Sequence, residues 1–198
     1  MTSSLDRELP SRDGRTWPIG TADQVHWIQD GTESGLAITA AIPPVFEAYA
    51  TVVLPDPNAD DQQERERHDR ALVAMLKQHA ASQSWWLGYL DTGVHDVIFP
   101  DARTVTLYAD WRYVLIDAGP DQAATWRERD PWRGVLPDLM FPADRSWLIS
   151  TLWDDDWTCV GGPAALIEGL VHDPDLGRRS RRVALSDPDV TPAGHVAR

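Results

Sequence analysis

Apolar and polar positions along the chain follow two rhythms, and the change between them falls near residue 84. Over 61–81 the rhythm is helical. Leu72, Met75, Leu76 and His79 recur at i, i+3, i+4 and i+7, drawing one apolar stripe along a helix whose first turns are wholly polar. The mixed charges of those turns, from Glu64 to Arg70, support one another at helical spacing, and Asp60 with Gln63 can cap the start. A shorter helix is predicted over 21–29, where Thr21 and Gln24 have capping-box spacing and Val25, Trp27 and Ile28 follow. A third spans 164–171. Pro163 supplies its N1 proline, Leu166, Ile167, Leu170 and Val171 form the apolar face, and Asp173-Pro174 ends it. Pro120 opens one or two further helical turns as far as Trp126.

The other rhythm is that of short strands. The apolar run 36–42 reads as a strand stopped by Pro43-Pro44, since neither proline can donate to a ladder. Residues 49–54 read as a second strand. After residue 84 come 85–90, 94–99, 104–109 and 112–117, the last two forming a hairpin. Segments 147–153 and 157–160 pair across the turn Asp154-Asp155-Asp156, and one more strand is placed at 182–185. Residues 127–146 read as polar and Pro-rich, anchored by Leu136, Leu139, Met140 and Phe141. Six to eight strands with about three helices in mixed order imply an α+β fold with a mainly antiparallel sheet. The expected organisation is a loose lead-in over 1–20, one domain over 21–177 and a basic C-terminal tail over 178–198.

Composition narrows the function classes. At 198 residues and 42 % apolar content, the chain is too hydrophobic for an acidic disordered protein and too polar for a membrane protein. One Cys excludes an internal disulfide framework. A net charge of −13 opposes nucleic-acid binding, which needs a basic surface. The stretch from Met1 to Pro10 lacks the basic-then-apolar pattern of a secretion signal, and no apolar run is long enough to span a bilayer. A cytoplasmic protein without a membrane partner is the expectation. The charge is also local. Residues 83–177 carry 16 acidic residues against 6 basic ones, whereas 178–198 carry 5 Arg against 2 Asp. Eight of the ten Trp lie between 85 and 157.

Few residues suggest chemistry. Three adjacent aspartates could hold a divalent cation, but neighbours on a strand point to opposite faces, and the run reads first as a solvated turn. Cys159 precedes a Gly161-Gly162 turn and a helix, as a nucleophile elbow would. Trp157 stands where the first glycine of that motif belongs, so a buried structural thiol is the simpler reading. His95 adjoins Asp96, again on opposite strand faces. The six His have no zinc-protease spacing, and no metal or organic cofactor is expected. Arg178, Arg179, Arg181 and Arg182 form the one basic cluster, too short for a nucleic-acid arm beside so much acid. The tryptophans remain. They either fill a core short of Phe or stand partly exposed as recognition anchors among the aspartates.

Two segments resemble known proteins. Ile42-Pro-Pro-Val-Phe-Glu-Ala-Tyr49 and Trp147-Leu-Ile-Ser-Thr-Leu-Trp-Asp-Asp-Asp-Trp-Thr-Cys-Val-Gly-Gly162 are similar to a protein family of GC-rich soil bacteria, from which no activity carries over. The abundance of Arg over a single Lys, Lys77, fits such a genome. Ile42-Pro43 with Phe46 and Tyr49 also resembles the proline-then-aromatic segment of SMI1/KNR4-like immunity proteins, which implies inhibition by binding. The resulting expectation is an acidic binding domain that meets a basic protein partner through Trp86, Trp111, Trp153, Asp154, Asp155, Asp156 and Trp157. The enzyme alternative is a small hydrolase using Cys159, or His95 with one of the three aspartates.

Overall fold

Strand alternation sorts the side chains of this chain onto two faces of one sheet. A computed structural model describes residues 11–56, 62–80, 82–92, 98–99, 101–127, 136–153 and 155–197. Its elements are β1 (Ser11–Arg12), β2 (Arg15–Thr16), α1 (Ala22–Gln29), β3 (Ala48–Val53), α2 (Gln62–Ala80), β4 (Trp85–Leu90), β5 (Val105–Leu107), β6 (Trp111–Ala118), α3 (Pro120–Thr125), β7 (Leu139–Pro142), β8 (Leu148–Ser150), β9 (Trp157–Gly162), α4 (Ala164–His172) and β10 (Ser180–Val183). Eight strands pair antiparallel in the order β10-β3-β9-β8-β7-β4-β6-β5, and β1 and β2 form a separate hairpin. This is the α+β fold, with a mainly antiparallel sheet, that the pattern predicts.

One face carries Ala50, Val52, Trp85, Leu87, Val114, Ile149 and Val160, and the apolar sides of α2, α3 and α4 pack on it. The other carries Tyr49, Leu139, Phe141, Leu148, Tyr113, Trp157 and Cys159, and is covered by α1 and the segment around Ile38 and Ile42. We call these the helical face and the covered face. The helical face turns polar near one end of its strands. Among the described residues, the buried His68 Nε2, Tyr89 Oη and Thr158 Oγ1 have no hydrogen-bond partner. Asp138, just before β7, lies beside Tyr89 and takes the buried guanidinium of Arg127 at 3.0 Å.

Several expectations are corrected. Residues 36–42 are not a strand. Ile38, Ala41 and Ile42 recur at helical spacing, and a 3₁₀ turn over Ile38–Ala40 buries all three against the covered face. A short apolar run alone does not distinguish these outcomes. Ile98 and Phe99 are not in a strand, and the rest of that predicted element lies outside the described residues, as does Asp60. The polar stretch 127–146 contains a strand after all, β7, whose four residues are all buried. The stripe of α2 runs through His68, Leu72, Val73, Leu76 and Ala80, and His79 is only half-buried. Pro163 is the N-cap of α4 rather than its first residue.

Residues 11–20 and 178–197 are more firmly placed than their polarity suggests. Within the expected lead-in, Trp17 is buried and meets Trp126 edge-on at 4.9 Å. Within the expected tail, Ser180–Val183 is the edge strand β10, Arg178 and Arg179 pair with Glu64, and Arg182 pairs with Glu168. Charged residues on an edge strand also discourage pairing with a second chain.

Glycine has a packing role in β9. A Cβ on Gly161 would lie 2.4 Å from a ring carbon of Phe46 and 2.6 Å from Ile42 Cγ2, so the covering segment rests directly on bare backbone. Gly161→Ala is expected to lower the unfolding free energy by about 1–3 kcal/mol through overpacking. Urea denaturation checks this, and a loss under about 0.5 kcal/mol would show that the covering segment moves aside freely.

Candidate recognition surface

The predicted site residues come from three places in the sheet, and curvature decides which of them meet. Tyr108 follows the edge strand β5, while Ser150 ends β8, four strands away. In a flat sheet that separation is roughly 19 Å at about 4.8 Å per strand. Yet the Tyr108 hydroxyl lies 2.7 Å from Ser150 Oγ and donates to the Ala41 carbonyl at 3.1 Å. The β5–β6 end must therefore curl over the covered face. The three-residue turn permits it, because Tyr108 and Asp110 both adopt left-handed backbone, with φ of 56° and 63°.

That curl brings Trp111, the first residue of β6, beside the β8–β9 turn. Tyr108, Trp111 and Trp153 form an aromatic run, with ring centroids 6.1 and 6.0 Å apart. Trp111 is half-buried, whereas Trp153 is 39 % exposed. The Asp155 N–H donates to the Leu152 carbonyl at 3.1 Å and tightens the turn on which Trp153 sits. Asp110, Asp155 and Asp156 belong to the same two turns, and Asp110 and Asp156 are exposed. Burial pushes up the phenol pKa of Tyr108, its bond to Ser150 only partly offsetting the effect. It thus stays a neutral donor beneath the corner.

Other predicted residues lie elsewhere. Trp157 is 4 % exposed, and the ring of His195 covers it edge-on at 6.3 Å. Trp86 shares the covered face but is opposite Asp117, six residues along β6 from Trp111, or roughly 20 Å at about 3.3 Å per residue. It packs against Gly20. Asp154 and His95 lie outside the described residues. Of the remaining tryptophans, Trp17, Trp85, Trp126 and Trp147 are buried, and Trp85 meets Trp147 edge-on at 4.8 Å. Most described tryptophans are therefore core, Trp27, Trp86 and Trp111 are half-buried, and Trp153 alone among the described tryptophans is exposed.

Sequence reasoning missed two members of this region. The alternating pattern of 104–109 places Tyr108 near the end of a strand, and the polar composition of 178–198 places His195 in a tail. His195 Nδ1 hydrogen-bonds Asp156 Oδ2 at 2.7 Å. No local pattern announces a contact between residues 39 positions apart.

The enzyme residues have a different setting. Cys159 is 4 % exposed, in the middle of β9 between β3 and β8. Burial, reinforced by the charge of Asp155 and opposed by a hydrogen bond with Trp157, pushes its thiol up to about 12. Among the described residues, no group of three His, Cys, Asp or Glu is placed to hold a metal ion. A shallow cleft of about 270 Å³ lies between α2 and the end of α4, where Arg67 and Arg70 face Asp173 and Asp175. Its charges are mixed and its floor is Ala71, Ala74 and Met75. Among the described residues, no helix is long and apolar enough to cross a membrane. No family model, curated protein or solved structure matches the chain.

Proposed function

We propose that this protein works by binding, and that its recognition surface is the corner where Trp153 stands on Trp111 between acidic turns. The single observation that carries this reading is the exposed Trp153, the one tryptophan among the described residues that is not held in the core or half-covered by it. An indole supported edge-on by a second indole is a pre-ordered apolar anchor that loses little entropy on contact. Aspartates around it select a cationic partner and speed its approach. The partner class is therefore a basic protein segment, as an immunity-like inhibitor of a basic toxin would meet.

The test uses an oligo-arginine peptide and a competing peptide of uncharged residues. Trp153→Ala is expected to weaken arginine-peptide binding by about tenfold or more, as loss of a central anchor does. Asp121→Asn, an exposed acid on α3, is the control for charge alone and is expected to change binding little. Fluorescence titration at two salt concentrations measures both. Equal losses for the two variants would reduce the binding to bulk acidity and sink the reading.

A further inference from the structure

Residues 184–197 form a strap over the covered face. Its middle is tied down, since the Val190 N–H donates to the Leu36 carbonyl at 2.8 Å and Arg181 donates to the Val190 carbonyl at 2.9 Å. Its end is held differently. Gly194 turns with φ of +87°, and His195 then drops onto the ring of Trp157 with its Nδ1 on Asp156 Oδ2. Val196 next to it is exposed. The seat formed by the Trp157 ring and the Asp156 carboxylate is thus filled by the chain itself, through one side chain and one partly exposed polar contact. Partly exposed pairs of this kind contribute little to stability, and a segment held by few bonds opens readily.

The seat suits another group better than it suits imidazole. A guanidinium can meet a carboxylate with two parallel N–H donors and lie flat on an indole at once. This protein already pairs arginine with tryptophan in three other places. Arg15 lies 3.6 Å from the ring centre of Trp17, Arg145 lies 5.4 Å from that of Trp27, and Arg12 lies 5.7 Å from that of Trp126. Asp156 belongs to the same turn as Trp153, so a segment that reaches the exposed indole also reaches this seat.

We propose that His195 is an internal stand-in for an arginine of the partner, and that a basic segment docking on Trp153 displaces it from Trp157 and Asp156. The proposal rests on the binding role of the Trp153 corner. It adds a second contact, the chemistry that fills it, and a built-in competitor that lowers affinity for weak ligands. Displacement needs no change in the sheet, because Gly194 can rotate residues 195–197 away, lifting the partly buried Ala197 off the covered face together with His195, while the bonds at Val190 and Arg181 persist.

The experiment follows Trp157 directly. In protein labelled with fluorotryptophan, the Trp157 fluorine resonance is assigned by its loss in Trp157→Phe. Adding the oligo-arginine peptide is expected to shift that resonance. His195→Ala is expected to shift it without peptide and to tighten peptide binding by about threefold or more, as removal of an internal competitor does. Peptide that binds in a Trp153-dependent way yet leaves the Trp157 resonance unmoved would overturn the displacement while leaving the corner intact. Unchanged affinity in His195→Ala would also overturn it. If Trp153→Ala binds as the parent does, the corner reading fails on its own, whatever Trp157 reports.

Discussion

An Asp138→Ala variant is expected to lose about 3–5 kcal/mol of unfolding free energy, a large share of the about 5–15 kcal/mol usual for a domain. Asp138 Oδ2 takes the Arg127 guanidinium at 3.0 Å and the Leu90 N–H at 2.8 Å, and its backbone carbonyl takes the Thr151 N–H at 2.7 Å. Arg127 is 5 % exposed and also donates to the Leu136 carbonyl, with its charge 4.9 Å from the ring centre of Tyr89. Removing the carboxylate takes away the counter-charge 3.0 Å from a buried cation, and breaking such a pair from one side costs far more than the modest net value of the intact pair. Asp138→Asn keeps an acceptor for Leu90 and is expected to fall between the two. Tyr89→Phe is the informative contrast. Its hydroxyl is buried with no partner among the described residues, so removing it is expected to be neutral or mildly stabilising. Urea melts of the three variants, compared at one slope, decide the matter. A loss under about 1 kcal/mol for Asp138→Ala would mean that Arg127 is held by its other contacts or by water and that Asp138 is not its essential counter-charge.

The same region shows what the sequence could and could not convey. Helical spacing and capping residues located α1, α2 and α4, and aromatic and β-branched runs between turn residues located β3, β4, β6 and the β5–β6 and β8–β9 hairpins, but not the β1–β2 hairpin. These signals did not find β7, where Leu139 and Phe141 serve the covered face and Met140 the helical face. Unlike β3, which is also buried on both faces but rich in Val and Thr, β7 is four residues without a β-branched side chain, and Pro137 before it and Pro142 at its end suggested a loop. The strand expected at 36–42 failed for the converse reason, since an apolar run satisfies a buried 3₁₀ turn equally well. The corner itself was half legible. Trp111 and Trp153 were singled out by residue type and neighbourhood, but their contact depends on sheet curl, which Tyr108, Ser150 and Ala41 enforce from three distant parts of the chain. The exclusion of Trp157 depends on His195, and that contact is legible only in three dimensions.

Cys159 is expected to be nearly inert in the folded protein, and this separates the binding reading from the hydrolase reading. An ordinary thiol is about a quarter ionised at pH 8, whereas one pushed up to about 12 is ionised about once in ten thousand molecules. Thiolate is the nucleophile, and a catalytic Cys needs its pKa lowered rather than raised. Alkylation by iodoacetamide at pH 8 is therefore expected to be about a thousandfold or more slower in native protein than in urea, the residual rate being set by local opening. The sign of the linked stability follows. The folded state favours the protonated thiol, so its contribution is whole below the unfolded value of about 8.5 and is lost as pH rises towards 12. Tyr49, Tyr89, Tyr108 and Tyr113, all raised by burial, act in the same direction at higher pH. Cys159→Ala is expected to flatten the first part of that decline and to leave arginine-peptide binding unchanged. Fast native alkylation, complete within minutes at pH 8, would place an accessible thiolate in β9. The Trp153 corner would then have to be weighed against a covalent chemistry at Ser150, Cys159 and Tyr108 just beneath it.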